Sequence, residues 1–313
     1  MLRSTHRLRA PRCASVFLAA FAAFLAGCSD DTDTAPGPHR PKLLFKSGFE
    51  SGVSLAAPRD FNGTAGWQDI VGTDTTTGYS WPIDVWHPAL SSMQLLVADP
   101  GAVKNTIETT TGHTGAATQA LHTQLLAASG SFPQDPYYME GLHEQGDLYV
   151  KYWVKFDANL LQQMGPNQWQ TFFEWKTGGD YRNIVYIYTD GNGNPYWHVQ
   201  SDNNANGGLP MKEFWSADNK DVPVPVGEWF SFETLIHRST GADGEIATAI
   251  NGHTIADQKG ANYGVNHDAI DRMMLFQNYG GGDKPISQWV DDVEIWDGKP
   301  TGNPPTTTAV AVH

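Results

Sequence analysis

The segment Asp147–Asp157, DLYVKYWVKFD, alternates apolar and polar side chains along most of its length. A period of two residues places successive side chains on opposite faces of a β-strand, whereas a helix has a period of 3.6 residues. The segment is also rich in Tyr, Trp, Phe and Val, which favour strands. It therefore predicts a β-strand with one face buried in a core.

The same alternation recurs along the body of the chain, and few segments hold a helical period over three turns. The further predicted strands are Trp169–Lys176, Asn183–Thr189, Pro195–Gln200, Glu228–His237, Glu245–Ile250, Met273–Gln277 and Trp289–Trp296. Turn-forming residues separate several of them, as at Asp190–Gly193, Gly241–Gly244 and Asn251–Gly252. The segment Ala116–Ala128 fits either a helix or a strand. Many antiparallel strands at short spacing predict an all-β fold, a sandwich or a jelly roll.

Residues 1–27 have the pattern of a secretory signal, with four arginines among the first twelve residues and an apolar run from Ala14 to Ala26. The run is too short to span a bilayer, which takes about 20 residues. The sequence Leu25-Ala26-Gly27-Cys28 resembles the lipoprotein signal of bacteria, and the resemblance implies that Cys28 is lipidated. Ser29 then favours the outer over the inner membrane of the cell envelope. Cys28→Ser should release the protein from membranes, which fractionation would show.

Composition bounds the rest of the chain. Residues 28–41 and 299–313 are rich in Thr, Pro, Gly and Asp or Lys and predict a flexible tether and a disordered tail around one domain at 42–298. Loss of the signal removes four arginines and no acidic residue, so the formal charge goes from −14 to −18. This charge excludes nucleic acid as a plausible partner, and an acidic polysaccharide would require a locally basic cleft. Cys28 is then the one cysteine left, so no disulfide is expected. We expect a monomer that meets the membrane only through its lipid anchor.

A set of short motifs carries a family resemblance. Ser47–Gly52 (SGFESG) opens the domain, and Gly227–Phe230 (GEWF), Glu245–Gly252, Met273–Tyr279 and Trp289–Trp296 (WVDDVEIW) follow in order. The chain resembles the concanavalin A-like jelly rolls of polysaccharide lyases, the heparin-lyase-like group in particular. The resemblance implies an antiparallel β-sandwich that cleaves a uronate polysaccharide by β-elimination. Non-catalytic carbohydrate-binding jelly rolls share the opening and closing motifs, so a surface glycan-binding lipoprotein is the alternative.

The lyase family places a Gln-x-His motif on one strand of a concave sheet, and the matching strand here is Trp169–Lys176. Alternation predicts Gln170, Phe172, Glu174 and Lys176 on one face and Trp169, Thr171, Phe173 and Trp175 on the other. The motif then reads Glu174-x-Lys176, whose alternative interpretation is an ion pair.

Two other family motifs are altered. The Arg-x-Glu-Leu-Arg motif corresponds to Thr118–His122, where only the leucine is kept and His122 takes the place of the last arginine. Phe276 stands where the family has a catalytic tyrosine, and Tyr279, before three glycines, is the candidate replacement.

The strand Pro195–Gln200 and its neighbour predict a polar and aromatic sheet face that is unusual for packing alone. A lyase needs a base for the C5 proton, an acid for the leaving oxygen and a cation for the uronate carboxylate. We assign His198 as base and Tyr279 as acid, with Arg182 and Lys176 holding the carboxylate. The substrate-contacting residues are predicted to be Glu174, His122, Tyr186, Tyr188, Tyr196 and Gln200. A solvated face without a ligand is the alternative.

Structural calcium is the predicted cofactor. Glu50 is predicted to lie in the first strand and Asp291 and Asp292 in the last, so they become neighbours if the termini meet at one edge of the sheet. Oxygen ligands suit Ca²⁺. Edge-strand carboxylates without a metal are the alternative. The paired-acid motif of glycoside hydrolases, a Gly-x-Ser-x-Gly turn and a zinc-binding His or Cys pattern are not found.

Overall fold

Two large antiparallel β-sheets contain most of the secondary structure. The computed structural model describes residues 40–61, 64–83, 94–96, 103–126, 138–141, 147–177, 179–203, 210–270, 272–280 and 286–301. At residues 60, 61, 64–66, 94–96, 138–141 and 279 the description covers the backbone alone. Cys28 lies outside the described residues, so the lipid anchor stays a prediction. Within the described part of the chain, no helix is both long enough and apolar enough to cross a membrane.

The strands, in chain order, are β1 (Leu43–Ser47), β2 (Val53–Leu55), β3 (Arg59–Phe61), β4 (Thr64–Gln68), β5 (Ile70–Thr73), β6 (Ser80–Trp81), β7 (Gln94–Leu96), β8 (Val103–Thr111), β9 (Ala117–Leu125), β10 (Tyr138–Gly141), β11 (Asp147–Phe156), β12 (Trp169–Lys176), β13 (Arg182–Thr189), β14 (Pro195–Asp202), β15 (Glu213–Asn219), β16 (Trp229–His237), β17 (Glu245–Ile250), β18 (His253–Lys259), β19 (Arg272–Leu275), β20 (Tyr279–Gly280) and β21 (Ile286–Trp296). One short helix, α1 (Leu160–Met164), lies between β11 and β12.

The eight-stranded sheet has the order β18-β17-β16-β11-β21-β9-β8, with β1 paired to β21. The ten-stranded sheet has the order β15-β14-β13-β12-β19-β10-β7-β4-β3, with β20 paired to β12. A small third sheet joins β2, β5 and β6. Neighbouring strands such as β11 and β21 are far apart in the chain and run antiparallel. The predicted fold class, an all-β antiparallel sandwich of the jelly-roll type, is confirmed.

An aromatic core lies between the two large sheets. Phe172 of β12 packs edge-on against Phe232 of β16, with ring centroids 4.8 Å apart, and Tyr152 of β11 lies 5.1 Å from the same ring. Trp175 and Trp197 are fully buried. Burial of such rings is worth about 2–3 kcal/mol for each side chain, so this layer is a main source of the stability of the fold.

The alternating segments form strands at the predicted places. The segment Ala116–Ala128, for which the sequence allowed a helix or a strand, contains the strand β9. Pairing with β8 and β21 supplies the backbone hydrogen bonds that a helix would make internally. The predicted strand Met273–Gln277 ends earlier, at Leu275. Phe276, at φ 58°, turns the chain out of the strand and lies buried in the core.

A β-bulge in β12 corrects the predicted faces of this strand. Thr171 pairs with Tyr186 of β13, but the next pair joins Phe173 to Val185, so Phe172 is an extra residue without an opposite partner. An extra residue reverses the alternation beyond it. Trp169 and Thr171 therefore share the outward face with Glu174 and Lys176, whereas Gln170 and Phe172 point to the inner side. The prediction that Gln170 and Phe172 lie with Glu174 was wrong.

Candidate functional site

The outward face of the ten-stranded sheet is the candidate site. Val185, Ile187, Trp197 and Val199 on β13 and β14 belong to the core, so the residues that alternate with them point away from it. We call this surface the polar-aromatic face and define it by Trp169, Thr171, Glu174, Lys176, Arg182, Tyr186, Tyr188, Tyr196, His198, Gln200 and Asp202. Polar and aromatic side chains thus stand in register across β12, β13 and β14.

Arg182 lies at the centre of an ionic network on this face. Its Nε donates to Oδ1 of Asp202 at 2.7 Å, and its Nη1 lies 3.5 Å from Oε1 of Glu174. Lys176 Nζ is also 3.5 Å from that oxygen, and Gln277 donates its amide to Oε2 at 3.2 Å. Asp202 and Glu174 are almost completely buried. Two buried carboxylates therefore fix the two cations that the sequence assigned to a uronate.

The electrostatics of Arg182 favour a permanently charged guanidinium. Burial by itself disfavours the charge, but the hydrogen bond to Asp202 and the nearby Glu174 outweigh it, so the pKa of Arg182 is raised. Opposite charges in a partly desolvated place stabilise each other more strongly than on an open surface. Arg182 is consequently a fixed, oriented cation on the face.

A hydrogen-bonded chain runs from this network to His198. Gln200 Nε2 donates to Oδ2 of Asp202 at 2.6 Å, which leaves its Oε1 facing Nε2 of His198 at 3.2 Å. Nδ1 of His198 lies 2.7 Å from Oδ1 of Asp218 on β15. Both ring nitrogens thus face side-chain oxygens. The ring also stacks on Tyr188, with centroids 4.5 Å apart.

Burial keeps the tyrosines of this face in the phenol form. It is the largest cause of the raised pKa of Tyr186, which Arg182 partly offsets. Burial also raises the pKa of Tyr188 and Tyr196, and nearby carboxylates add to the shift. A raised pKa keeps the phenol protonated at neutral pH, so these side chains hold a hydrogen that they can donate in a hydrogen bond or to a strongly basic leaving oxygen.

The register places Tyr279 on the same cross-strand row as His198. His198 pairs with Tyr186, Tyr186 with Thr171 and Thr171 with Tyr279. Three strand spacings separate Tyr279 from His198, about 14 Å between backbones. The Tyr279 side chain lies outside the described residues, so its predicted role as acid stays a prediction.

His122 is not part of this face, and the structure does not bring it together with the other residues that were predicted to contact the substrate. It lies on β9 of the eight-stranded sheet, stacked on Trp289 with centroids 4.2 Å apart. Its Nδ1 is 3.1 Å from Oε1 of Glu108. Burial is the main cause of its lowered pKa. His122 was suggested by a motif of the lyase family that is not preserved here. The strand that contains His122, β9, belongs to the opposite sheet.

The three predicted calcium ligands do come together, because β1 pairs with β21 and brings the two ends of the domain into contact. The Thr118 hydroxyl lies 2.7 Å from Oε1 of Glu50 and 3.1 Å from Oδ2 of Asp291. A side chain on Gly48 would meet Asp291, Asp292 and Glu50 within 4 Å. Asp292 Oδ2 also lies 2.8 Å from Nε2 of His113.

Excess negative charge marks this cluster. Burial first, then Asp292 and Glu50, raise the pKa of Asp291 to about 8. One hydroxyl hydrogen on Thr118 cannot satisfy both Glu50 and Asp291. A cation would reduce the repulsion between the carboxylates and would give both Glu50 and Asp291 a partner. In the described ranges, however, no three His, Cys, Asp or Glu side chains are arranged as a ready ligand set.

Three residues of the site were not predicted: Asp202, Asp218 and Gln277. The position of Trp169 and Thr171 on the same face as Glu174 was not predicted either. Asp202 continues the period of Tyr196, His198 and Gln200 and would have been found by extending the strand two residues. Asp218 and Gln277 reach the site from β15 and from the segment after β19, and nothing local in the sequence indicates those partners.

No protein-family model matches the chain, and no curated protein matches it. Among solved structures, it is similar to the alginate lyase Aly36B at 16% identity and a TM-score of 0.48, over 63% of this chain and 85% of that one. It is similar to an endo-β-1,4-glucuronan lyase from the fungus Trichoderma reesei at 11% identity and a TM-score of 0.46, over 63% and 88%. It is also similar to the cellulose-induced protein Cip1 at 16% identity and a TM-score of 0.42, over 65% and 89%.

Proposed function

We propose that the polar-aromatic face binds an acidic polysaccharide and cleaves it by β-elimination at a uronate. The observation that carries the proposal is Arg182, an oriented cation set among tyrosines, amides and a histidine on the outward face of a sheet. An arginine can hold a carboxylate through its planar fork, and the aromatic and amide side chains suit sugar rings and hydroxyls. A face that served only packing would be aliphatic.

The chemistry follows from these positions. Arg182, assisted by Lys176, holds the uronate carboxylate and makes the C5 proton more acidic. A base takes that proton, the C4–O4 bond breaks, a C4–C5 double bond forms and an acid protonates O4. The products are a chain with a new non-reducing unsaturated end and a chain with a free hydroxyl.

His198 is the base in this proposal, and Asp218 orients it through Nδ1. The nitrogen that takes the proton is Nε2, which faces Gln200 in the free protein. Because a nitrogen that already carries hydrogen cannot accept a proton, the reactive ring has its hydrogen on Nδ1, and the substrate replaces the Gln200 contact at Nε2 before the C5 proton moves there. Catalytic hydrogen bonds are often rearranged in this way between free and bound enzymes.

Tyr186 is the acid that the geometry favours. It pairs directly with His198, the two rings lie 5.9 Å apart, and its raised pKa keeps the proton available. Tyr279 is three strands away along the same row. Replacing each tyrosine by Phe separates the two assignments, because only the acid should lower kcat strongly.

Binding without catalysis is the second candidate. It is favoured by the saturation of the network: Asp202 and Glu174 already neutralise Arg182, and both nitrogens of His198 have acceptors. Such a face could hold a glycan without a free base.

Incubating the purified protein with uronate polysaccharides decides between the two functions. Cleavage gives new absorbance from the double bond, whereas a pure binding protein gives affinity without absorbance. Arg182→Lys keeps the charge but loses the fork, and we expect kcat/KM to fall about tenfold or more. Arg59→Ala, which breaks an exposed ion pair between Arg59 of β3 and Asp69, the residue between β4 and β5, is the control. If the protein neither binds nor cleaves any uronate chain, the proposal is wrong.

We also propose that the cluster of Glu50, Asp291 and Asp292 takes calcium. The support is the packed, oxygen-rich charge and the pKa of Asp291 described above. The ion would join the first and last strands of the domain, and no catalytic step passes through it.

A further inference from the structure

The polar-aromatic face is divided along its strands into two halves of different chemistry. The ionic half consists of Glu174, Lys176, Arg182 and Asp202. The aromatic half consists of Trp169, Tyr188 and Tyr196, and the row formed by Tyr186 and His198 lies between the two halves. Arg182 and Tyr188 mark the two halves on β13, and six residues of extended strand separate them by about 20 Å. A glycan that spans both halves therefore meets different surroundings at successive sugars.

Carboxylates surround the aromatic half. Asp218 accepts a hydrogen bond from His198, and its side chain is half exposed. Asp190 stands in the turn that joins β13 to β14, where its carboxylate accepts hydrogen bonds from Asn194 beside the start of the strand that holds Tyr196. The ammonium of Lys220 is 5.0 Å from the centre of the Tyr196 ring. These two carboxylates and one ammonium leave an excess of negative charge.

Trp169 is an exposed aromatic residue at the edge of this half. Its side chain is 39% exposed, and its ring meets Tyr186 edge-on, with centroids 6.1 Å apart. It stands opposite Tyr188 in the register. A large aromatic side chain on open surface beside other rings suits the apolar face of a sugar and offers no charge for a carboxylate.

From this division we infer that the substrate is a heteropolysaccharide in which each uronate is separated from the next by uncharged sugars. The inference rests on the proposed function, because it takes the ionic half as the place of the reacting uronate. A polymer of uronates alone would bring further carboxylates to the aromatic half, where Asp218 and Asp190 repel them. Like charges placed together are a common way to reject a wrong ligand.

The test compares two kinds of polymer. Hyaluronan and deacylated gellan have 4-linked glucuronates separated by uncharged sugars, whereas alginate and glucuronan are uronates throughout. We expect kcat/KM, measured by the absorbance of unsaturated ends, to be about tenfold or more higher for the first pair. Equal or faster cleavage of the uronate homopolymers would overturn the inference and leave β-elimination intact.

Trp169→Ala adds a test at the level of residues. It should raise KM about tenfold on the separated-uronate polymers and lower kcat much less, because Trp169 touches Tyr186 only edge-on and lies at the end of the face away from Arg182. Trp229→Ala, a partly exposed tryptophan of the other sheet, is the matched control and should change neither. An equal loss on the homopolymers, or a loss of kcat alone, would count against the inference.

The two proposals fail separately. If no polymer gives unsaturated ends, β-elimination is wrong, and the preference is then measured as binding of the intact polymers by calorimetry. Tighter binding of hyaluronan or gellan than of alginate supports the division of the face, and equal binding overturns it.

Discussion

The outward faces of the two sheets use similar residues for different ends. On the ten-stranded sheet, His198 stacks on Tyr188 and its nitrogens join a chain of amides and carboxylates. On the eight-stranded sheet, His122 stacks on Trp289. The ammonium of Lys155 lies over two tryptophan rings, 4.6 Å from the centre of Trp289 and 5.5 Å from that of Trp229. A histidine beside an aromatic ring is therefore no sign of a site. What distinguishes the polar-aromatic face is its pair of buried carboxylates, Glu174 and Asp202, which hold Arg182.

The largest expected effect separates the two histidines. His198→Ala should lower kcat by about 10²- to 10⁴-fold, the usual contribution of a general base, with a much smaller change in binding. His122→Ala should leave kcat unchanged and lower the melting temperature, because a buried ring leaves a cavity. Initial rates and thermal unfolding of both variants measure this. A large loss of kcat in the His122 variant would show that the two faces are not functionally distinct.

A smaller effect concerns Asp291, beside β9 on the eight-stranded sheet. Without calcium, the folded protein holds a proton on Asp291 up to about pH 8, whereas the unfolded chain releases it near pH 4. The folded state therefore binds more protons between these values, and the free energy of unfolding should fall as pH rises through that window. Asp291→Asn should remove this contribution to the slope.

Calcium should reverse the loss in the wild type at neutral pH. A concentration about 100-fold above Kd adds roughly 2.7 kcal/mol of stability. Asp257→Asn, at an exposed ion pair on β18, is the control and should keep both the slope and the calcium response. Unfolding that is insensitive to calcium, chelator and pH in the wild type would remove the proposed metal site.

The smallest expected effect tests whether the stacked rings of the eight-stranded sheet only stabilise the fold or also contact the polysaccharide. Lys155→Met removes the ammonium between Trp289 and Trp229 but keeps most of the apolar stem, and it should cost about 0.5–1 kcal/mol. Denaturant unfolding measures this difference, with Lys104→Met on β8 as an exposed control. A loss of polysaccharide binding in the Lys155 variant would mean that this face also meets the ligand.

Local sequence patterns were enough to predict where the strands lie but not which strands pair with each other. The bounds of β12 and the shared face of Tyr196, His198 and Gln200 follow from alternation, which depends on adjacent residues alone. His122 was misplaced because its sheet is decided by the pairing of β9 with β21, more than 160 residues later in the chain. Asp218 and Gln277 were missed for the same reason. The meeting of Glu50 with Asp291 was predictable because the domain begins and ends with complementary strands.

The bulge at Phe172 has a consequence for comparing this chain with others. In a protein whose equivalent strand is regular, one residue fewer covers the same distance, so a correct alignment places its gap inside β12 and not in a loop. Residues up to Thr171 and residues from Phe173 onward must be matched in two frames that differ by one position. An alignment that carries one frame through would set Glu174 and Lys176 against core positions of its partner and hide any shared site.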